Sequence, residues 1–340
     1  FRAASSTLPR GPAPKLPIWR ARLGWHQLAC RALMHSACPK PLKRNWTVKD
    51  MDWARDLPTW PNHAASRRLR VRPHEWHIQE MGDGATLLLL HGAGASTHTW
   101  RDILPRLAET HHVVALDLPG QGFTQAGTLR RCSLDRMAED IATLCVSQNW
   151  SLRAIIGHSA GAALALRLSE IMSEEARPGL ILGLNPALGN FEGVAGWLFP
   201  VLAKVLALNP LTSYLFAGGS PQLKRTRRII ESTGSHLDQD GLALYARLIA
   251  DRAHVEATLQ MMSQWQIDPL LNRLETIETP CHFMTGDRDR AVPPETAKTA
   301  AARLPNCGMT NLPNLGHLAH EEQPELISQL LIEHLSALEQ

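Results

Sequence analysis

Hydrophobic residues in this chain fall into short unbroken runs, separated by stretches with helical spacing. The runs are "TLLLLHG" (86–92), "HHVVALDLPG" (111–120), "RAIIGHS" (153–159), "GLILGLNPA" (179–187) and "PCHFMTGDRD" (280–289), with a weaker one at "GMTNLP" (308–313). An apolar run of this length, bounded by glycine or proline, reads as a strand covered on both faces. Ahead of them, 68–79 reads as a strand pair folded around Pro73. Between them, 100–108, 134–148, 160–170, 295–303 and 324–338 read as helices. Strand–helix alternation predicts an α/β fold, a doubly wound and mostly parallel sheet with helices on both sides. Residues 189–268 break the rhythm, with helical pattern and almost no strand pattern. That interval is too long for a loop. It predicts a helical cap inserted between late strands, over a core formed by 51–188 and 269–340.

Composition changes this picture at one end only. The 340 residues carry a formal charge of +3. Residues 1–50 alone hold ten Lys/Arg and one acidic residue, Asp50, a local +9; the remainder carries 25 basic and 31 acidic groups, or −6. A body of that charge argues against nucleic-acid binding. The basic, Pro-rich opening segment is expected to be either a disordered or non-native extension ahead of a start at Met51, or a basic leader-like arm. No window reaches the run of about 18 apolar residues that a membrane span needs; the nearest, 194–208, is broken by Pro200 and Lys204. The cysteines at 30, 38, 132, 145, 281 and 307 match no zinc spacing. Scattered thiols fit a reducing, cytoplasmic setting. No metal and no cofactor are expected. The "GAGAS" run lacks the acidic partner of a dinucleotide fold.

The chemistry concentrates at "GHSAG", 157–161, between a strand and a helix. G-x-S-x-G in that setting is a nucleophile elbow, with Gly157 and Gly161 making room for a sharp turn that exposes Ser159. A serine hydroxyl needs a base, and the base needs an orienting acid. Both are expected later in the chain, acid before histidine. "GDRDRAVP" offers Asp289, with Asp287 as rival, and "NLGHLAHEEQP" offers His317, with His320 three residues on. Asn185 cannot supply a negative charge. An oxyanion would be held by backbone N–H groups, those of Ala160 and of Ala93 in "HGAGAST" (91–97). The inserted segment "FEGVAGWLFPVLAKVLALNPLTSYLFAGG" (191–219) is rich in apolar and aromatic residues. Trp197, Phe199, Phe216 and Trp265 are candidates to line an apolar substrate pocket. Simple lid packing or shallow attachment to a membrane surface would account for the same composition.

Taken together, "LLLLHGAGAS", "DLPGQGFT", "GHSAGAA", "TGDRDRAVP" and "GHLAHEEQP" resemble the α/β-hydrolase superfamily from about Trp76 to Leu338. The resemblance implies a catalytic Ser159, Asp289 and His317, with Ala93 and Ala160 as oxyanion donors. "DLPTWPNHAASRRLRV", "HGAGASTHTWRDILPRLA" and "FPVLAKVLALNPLTSYLFA" are similar to the magnesium-chelatase accessory family of bacteriochlorophyll biosynthesis. That closer resemblance implies a tetrapyrrole pathway and contact with magnesium chelatase. Gln121 departs from the histidine common in the superfamily's "PGHG", at a loop position expected to leave the triad untouched. Two functions follow: a serine hydrolase acting on an ester-like bond of a bulky apolar substrate, or a non-catalytic accessory or porphyrin-binding protein.

Overall fold

The computed structural model describes residues 50–189 and 222–338. Eight strands form one sheet: β1 Ser66–Val71, β2 His74–Met81, β3 Thr86–Leu90, β4 His112–Leu116, β5 Leu152–His158, β6 Leu180–Leu184, β7 Cys281–Gly286 and β8 Cys307–Leu312. Their order across the sheet is β1-β2-β4-β3-β5-β6-β7-β8. β2 is antiparallel to both β1 and β4, and every pairing from β4 to β8 is parallel. The described helices are α1 Trp53–Asp56, α2 Ile103–Leu107, α3 Leu134–Ser147, α4 Ala160–Ile171, α5 Gln222–Ser232, α6 Gln239–Ala250, α7 Arg252–Gln264, α8 Asp268–Leu271, α9 Pro294–Ala301, α10 Ala319–Glu322 and α11 Pro324–Ser336.

The unbroken apolar runs serve two cores at once, because successive strand side chains point to opposite faces. Leu88, Leu90, Val114, Leu116 and Ile155 enter one layer with α3, α4 and α9. Leu87, Leu89, Val113, Ala115, Ile156 and Leu182 enter the other with α2 and α11. Neither face of the central strands meets water, so neither alternates with polar residues. The edge strands β1 and β8 do show exposed positions, which explains the weak pattern at 308–313. The helix expected over 100–108 is shorter. Ser96 caps a 3-10 turn at Thr97–Trp100, and α2 starts only at Ile103.

The register brings one end of the sheet to the chemistry. Leu90, the last residue of β3, lies beside Leu116 and Gly157. The loops after β3, β4, β5, β7 and β8 therefore meet at the carboxyl ends of the parallel strands. Among the described residues, the chain between β6 and β7 contains α5 to α8 and no strand. Its α7 reaches the loop after β4: Gly120, at φ +75°, lies so near Ala257 that a Cβ there would stand 2.6 Å from the Ala257 Cβ. No helix among the described residues is long and apolar enough to cross a membrane.

Candidate active site

Ser159 links β5 directly to α4, with φ 53° and ψ −116°. A positive φ is uncommon for a side-chain-bearing residue and costs roughly 1–3 kcal/mol. The surroundings hold it there. A Cβ on Gly161 would lie 2.1 Å from the Leu90 carbonyl oxygen, and one on Gly157 would lie 2.4 Å from the Gly161 oxygen. Only two glycines let helix and strands approach this closely, and the approach leaves the serine standing out of the turn. The Ser159 N–H donates to the Leu184 carbonyl at 2.9 Å, tying the elbow to β6.

The loop after β3 presses on the same residue. A Cβ on Gly92 would be 3.0 Å from the Ser159 Cβ. Ala93 follows on the exposed crest of this loop, and Ala160 opens α4. Among the described residues neither N–H has a hydrogen-bond partner. The next amide is taken, because Gly94 N–H donates to Gln121 Oε1 at 2.8 Å. Below the loop, Asp117 is fully buried and accepts from Thr97 N–H, Phe123 N–H and His77 Nδ1 at 2.6, 2.7 and 2.6 Å. Burial alone would raise its pKa; the His77 and His91 rings and the Phe123 N–H outweigh that and bring it to about 2. His91 is fully buried, and desolvation takes its pKa to about 4. Its Nδ1 donates to the Gly92 carbonyl and its Nε2 accepts from Leu118 N–H.

The candidate acid and base come from the loops after β7 and β8. His317 Nδ1 lies 2.7 Å from Asp289 Oδ2, in a buried pair. The same oxygen accepts from Asn185 Nδ2 at 2.8 Å. The other, Oδ1, accepts from Ala291 N–H and Val292 N–H, both at 2.8 Å. Four donors fill a group that can only accept, which places the proton of a neutral His317 ring on Nδ1 and leaves a lone pair on Nε2. Asp287, the rival in the sequence, accepts instead from Asn314 N–H at an exposed turn. The loop carrying His317 is fastened to the elbow, since His158 Nε2 donates to the His317 carbonyl at 2.9 Å. His317 itself lies in that loop, two residues ahead of α10.

A family model described as the alpha/beta hydrolase family matches residues 87–330. The chain belongs to the α/β-hydrolase family. It is 39% identical over 284 residues to the magnesium-chelatase 30 kDa subunit of Rhodobacter capsulatus, covering 83% of this chain and 98% of that one. It is 25% identical to a pimeloyl-[acyl-carrier protein] methyl ester esterase of Aeromonas hydrophila, over 76% of this chain and 97% of the esterase. Among solved structures, it resembles an α/β-hydrolase fold protein from Burkholderia ambifaria (TM-score 0.66, 24% identity, 79% of this chain and 97% of that one). It also resembles a thermophilic esterase from Thermogutta terrifontis (TM-score 0.65, 20% identity, 80% and 99%). These two likenesses show the fold.

Several residues of this α/β-hydrolase site are not readable from the motifs. His320 is fully buried, and its Nε2 lies 2.7 Å from Thr99 Oγ1. Burial next to His317 and Arg101 takes its pKa to about 3. Gln121 does more than fill a loop, since it holds the loop that bears Ala93. His254, from α7, accepts from Gly122 N–H at 3.0 Å and donates to the Gly94 carbonyl at 3.1 Å. Asn185, set aside as an acid, is a donor to one. Of the pocket candidates, Trp265 is half-buried against the core layer that holds α3, α4 and α9; Trp197, Phe199 and Phe216 lie outside the described residues. Among the described residues no cluster of three or more His, Cys, Asp or Glu could hold a metal ion.

Proposed function

We propose that this α/β-hydrolase is an active serine hydrolase that cleaves an ester-like bond of a bulky apolar substrate through Ser159, His317 and Asp289. The observation that carries the reading is the Asp289 carboxylate, which is filled by four donors and bonded to His317 Nδ1 at 2.7 Å. In the reaction, His317 Nε2 takes the Ser159 proton as Oγ attacks the ester carbonyl carbon. The carbonyl oxygen becomes an anion facing the Ala93 and Ala160 N–H groups. When the tetrahedral intermediate collapses, the leaving alkoxide takes the proton from His317, and an acyl-Ser159 ester remains. Water, deprotonated by the same nitrogen, then releases the acid and restores Ser159. Each backbone donor of this kind contributes about 3–4 kcal/mol to the barrier reduction.

The substrate class rests on sequence likeness. The similarity to a magnesium-chelatase subunit, 39% over nearly all of that protein, favours a tetrapyrrole or its precursor from bacteriochlorophyll biosynthesis. The apolar residues of 191–219, with Trp197, Phe199 and Phe216, would supply the pocket together with Trp265. The protein would then act in the cytoplasm or at the membrane surface, in contact with the chelatase. The same likeness supports a second reading, an accessory or porphyrin-binding role in which the hydrolase site is incidental.

Two measurements separate the readings. Wild-type protein is expected to label with a fluorophosphonate and turn over p-nitrophenyl esters, and Ser159→Ala to do neither. A wild type inert to both overturns the hydrolase. In a phototrophic host lacking the gene, Ser159→Ala at normal protein levels should fail to restore pigment; full restoration supports the accessory role instead.

A further inference from the structure

We infer that Ser235, carried by the inserted helices, is a positioning residue for His317, and that the turn around it aligns the acid loop with the base loop. This inference rests on the serine-hydrolase reading. The turn joins α5 to α6, and its residues bond to the chain on the near side of both catalytic groups. Ser235 is fully buried, and its Oγ accepts from the Leu318 N–H at 2.8 Å. Leu318 directly follows His317. Two residues earlier, the Thr233 carbonyl accepts from Arg290 N–H at 3.0 Å. Arg290 directly follows Asp289. One short piece of the insert thus holds the peptide next to the base and the peptide next to the acid.

The packing between these two bonds allows no slack. Gly234, at φ +88°, abuts the Arg288 carbonyl, and a Cβ there would stand 1.9 Å from that oxygen. A Cβ on Gly316, just before His317, would stand 2.4 Å from the Gly234 oxygen and 2.5 Å from the Ser235 nitrogen. Glu322 completes the staple: Oε1 accepts from Gly316 N–H at 2.9 Å and Oε2 from His236 N–H at 3.2 Å. A second anchor lies one helix on, where the Tyr245 hydroxyl donates to Glu321 at 2.7 Å. Leu318 and Ala95 share a small apolar cluster with Ile230, Leu237, Leu242 and Tyr245 of the insert.

The consequence is chemical. The Leu318 N–H is buried and has this one acceptor. Without the Ser235 hydroxyl, its backbone must move to find another, because a buried donor left unpaired is costly. That movement is passed to His317 through one peptide. Misplacing a catalytic group by about 1 Å lowers turnover by as much as 100-fold. The insert is therefore part of the machinery that sets the His317–Asp289 geometry, in addition to any role over the substrate.

The test uses the full chain, p-nitrophenyl butyrate turnover and the rate of fluorophosphonate labelling. Ser235→Ala is expected to lower kcat and the labelling rate by about 10- to 100-fold, with KM changed less than about twofold and the thermal midpoint showing a folded protein. The acid limb of its kcat/KM pH profile should move, since the bond from His317 to Asp289 is no longer held at its native geometry. Ser235→Thr, which keeps the hydroxyl, should recover most of the rate. A folded Ser235→Ala enzyme with wild-type kcat overturns the inference, as does a loss confined to KM. If Ser235→Ala does not fold, Glu322→Gln loosens the same turn from a partly exposed position. Its kcat should fall with KM preserved, and a wild-type kcat there is equally fatal. A wild type that reacts with neither reagent removes the hydrolase itself, whereas a reactive wild type matched by its variants removes only the positioning role.

Discussion

The two ends of the proposed triad are held in different ways. Ser159 is fixed by backbone packing: two glycines without room for a Cβ, and a helix that begins one residue later. His317 and Asp289 are fixed by groups from distant parts of the chain, among them Asn185, Ser235 and the His158 ring. The nucleophile end is specified by five consecutive residues, which pack on Leu90 and bond to Leu184. The acid–base end is assembled, so its geometry depends on bonds spanning 28 to 159 residues of sequence. A local device tolerates change elsewhere and fails at once when its own residues change. An assembled one can be degraded in steps from many positions.

The most severe way to break the assembled end is Asp289→Asn. An amide there keeps the acceptor for the Ala291 and Val292 N–H groups but turns an NH₂ toward His317 Nδ1 and Asn185 Nδ2. The ring must adopt the wrong tautomer, and kcat should fall by about 10⁴-fold. Asp287→Asn serves as its control in the same ester assay and should change the rate less than about twofold. Equal losses in both would mean that the acid has been misassigned.

The local end should break as a packing defect. Gly161→Ala drives a methyl group into the Leu90 carbonyl, and overpacking of this kind costs about 1–3 kcal/mol. The thermal midpoint and the labelling rate should fall together. A variant as stable and as reactive as wild type would show that the elbow is less tightly determined than its geometry indicates.

A smaller, graded effect should come from pH. Folded His91 and His320 resist protonation until about 4 and about 3, whereas an unfolded ring takes a proton near 6.5. Below that value the unfolded state binds more protons, so stability is complete above pH 6.5 and is lost as the pH falls toward 4. The slope is about 1.4 kcal/mol per pH unit for each ring. Glu321, whose carboxyl is pushed up by burial against the pull of Arg101, Thr99 and Tyr245, opposes part of that loss. Melting curves from pH 8 to pH 4 check the sign; a midpoint that stays level across this range contradicts it.

The same division explains what could be read from the sequence. The buried strands, the helices on both faces and the elbow announce themselves because their causes lie within a few residues. The pairing of Asp289 with His317 can be anticipated because each follows a strand in a motif of its own. Ser235, His254 and Asn185 carry no such mark. A serine between α5 and α6 looks like any turn former, and only the folded chain brings its hydroxyl to Leu318 N–H. The surroundings of His320 are equally unmarked: its spacing puts it near the base, but only the folded chain encloses it with Thr99, Trp100 and His158. The aromatic residues of 191–219 carry the substrate reading on composition alone.

Gln121 has a consequence for how this protein would respond to acidity. A histidine gripping the Gly94 N–H would exchange its lone pair for a proton in mild acid and let go of the loop. A carboxamide has no such transition, and the second clip on that loop, His254, is kept uncharged by its burial. The loop that bears Ala93 is thus insulated from the proton concentration around it.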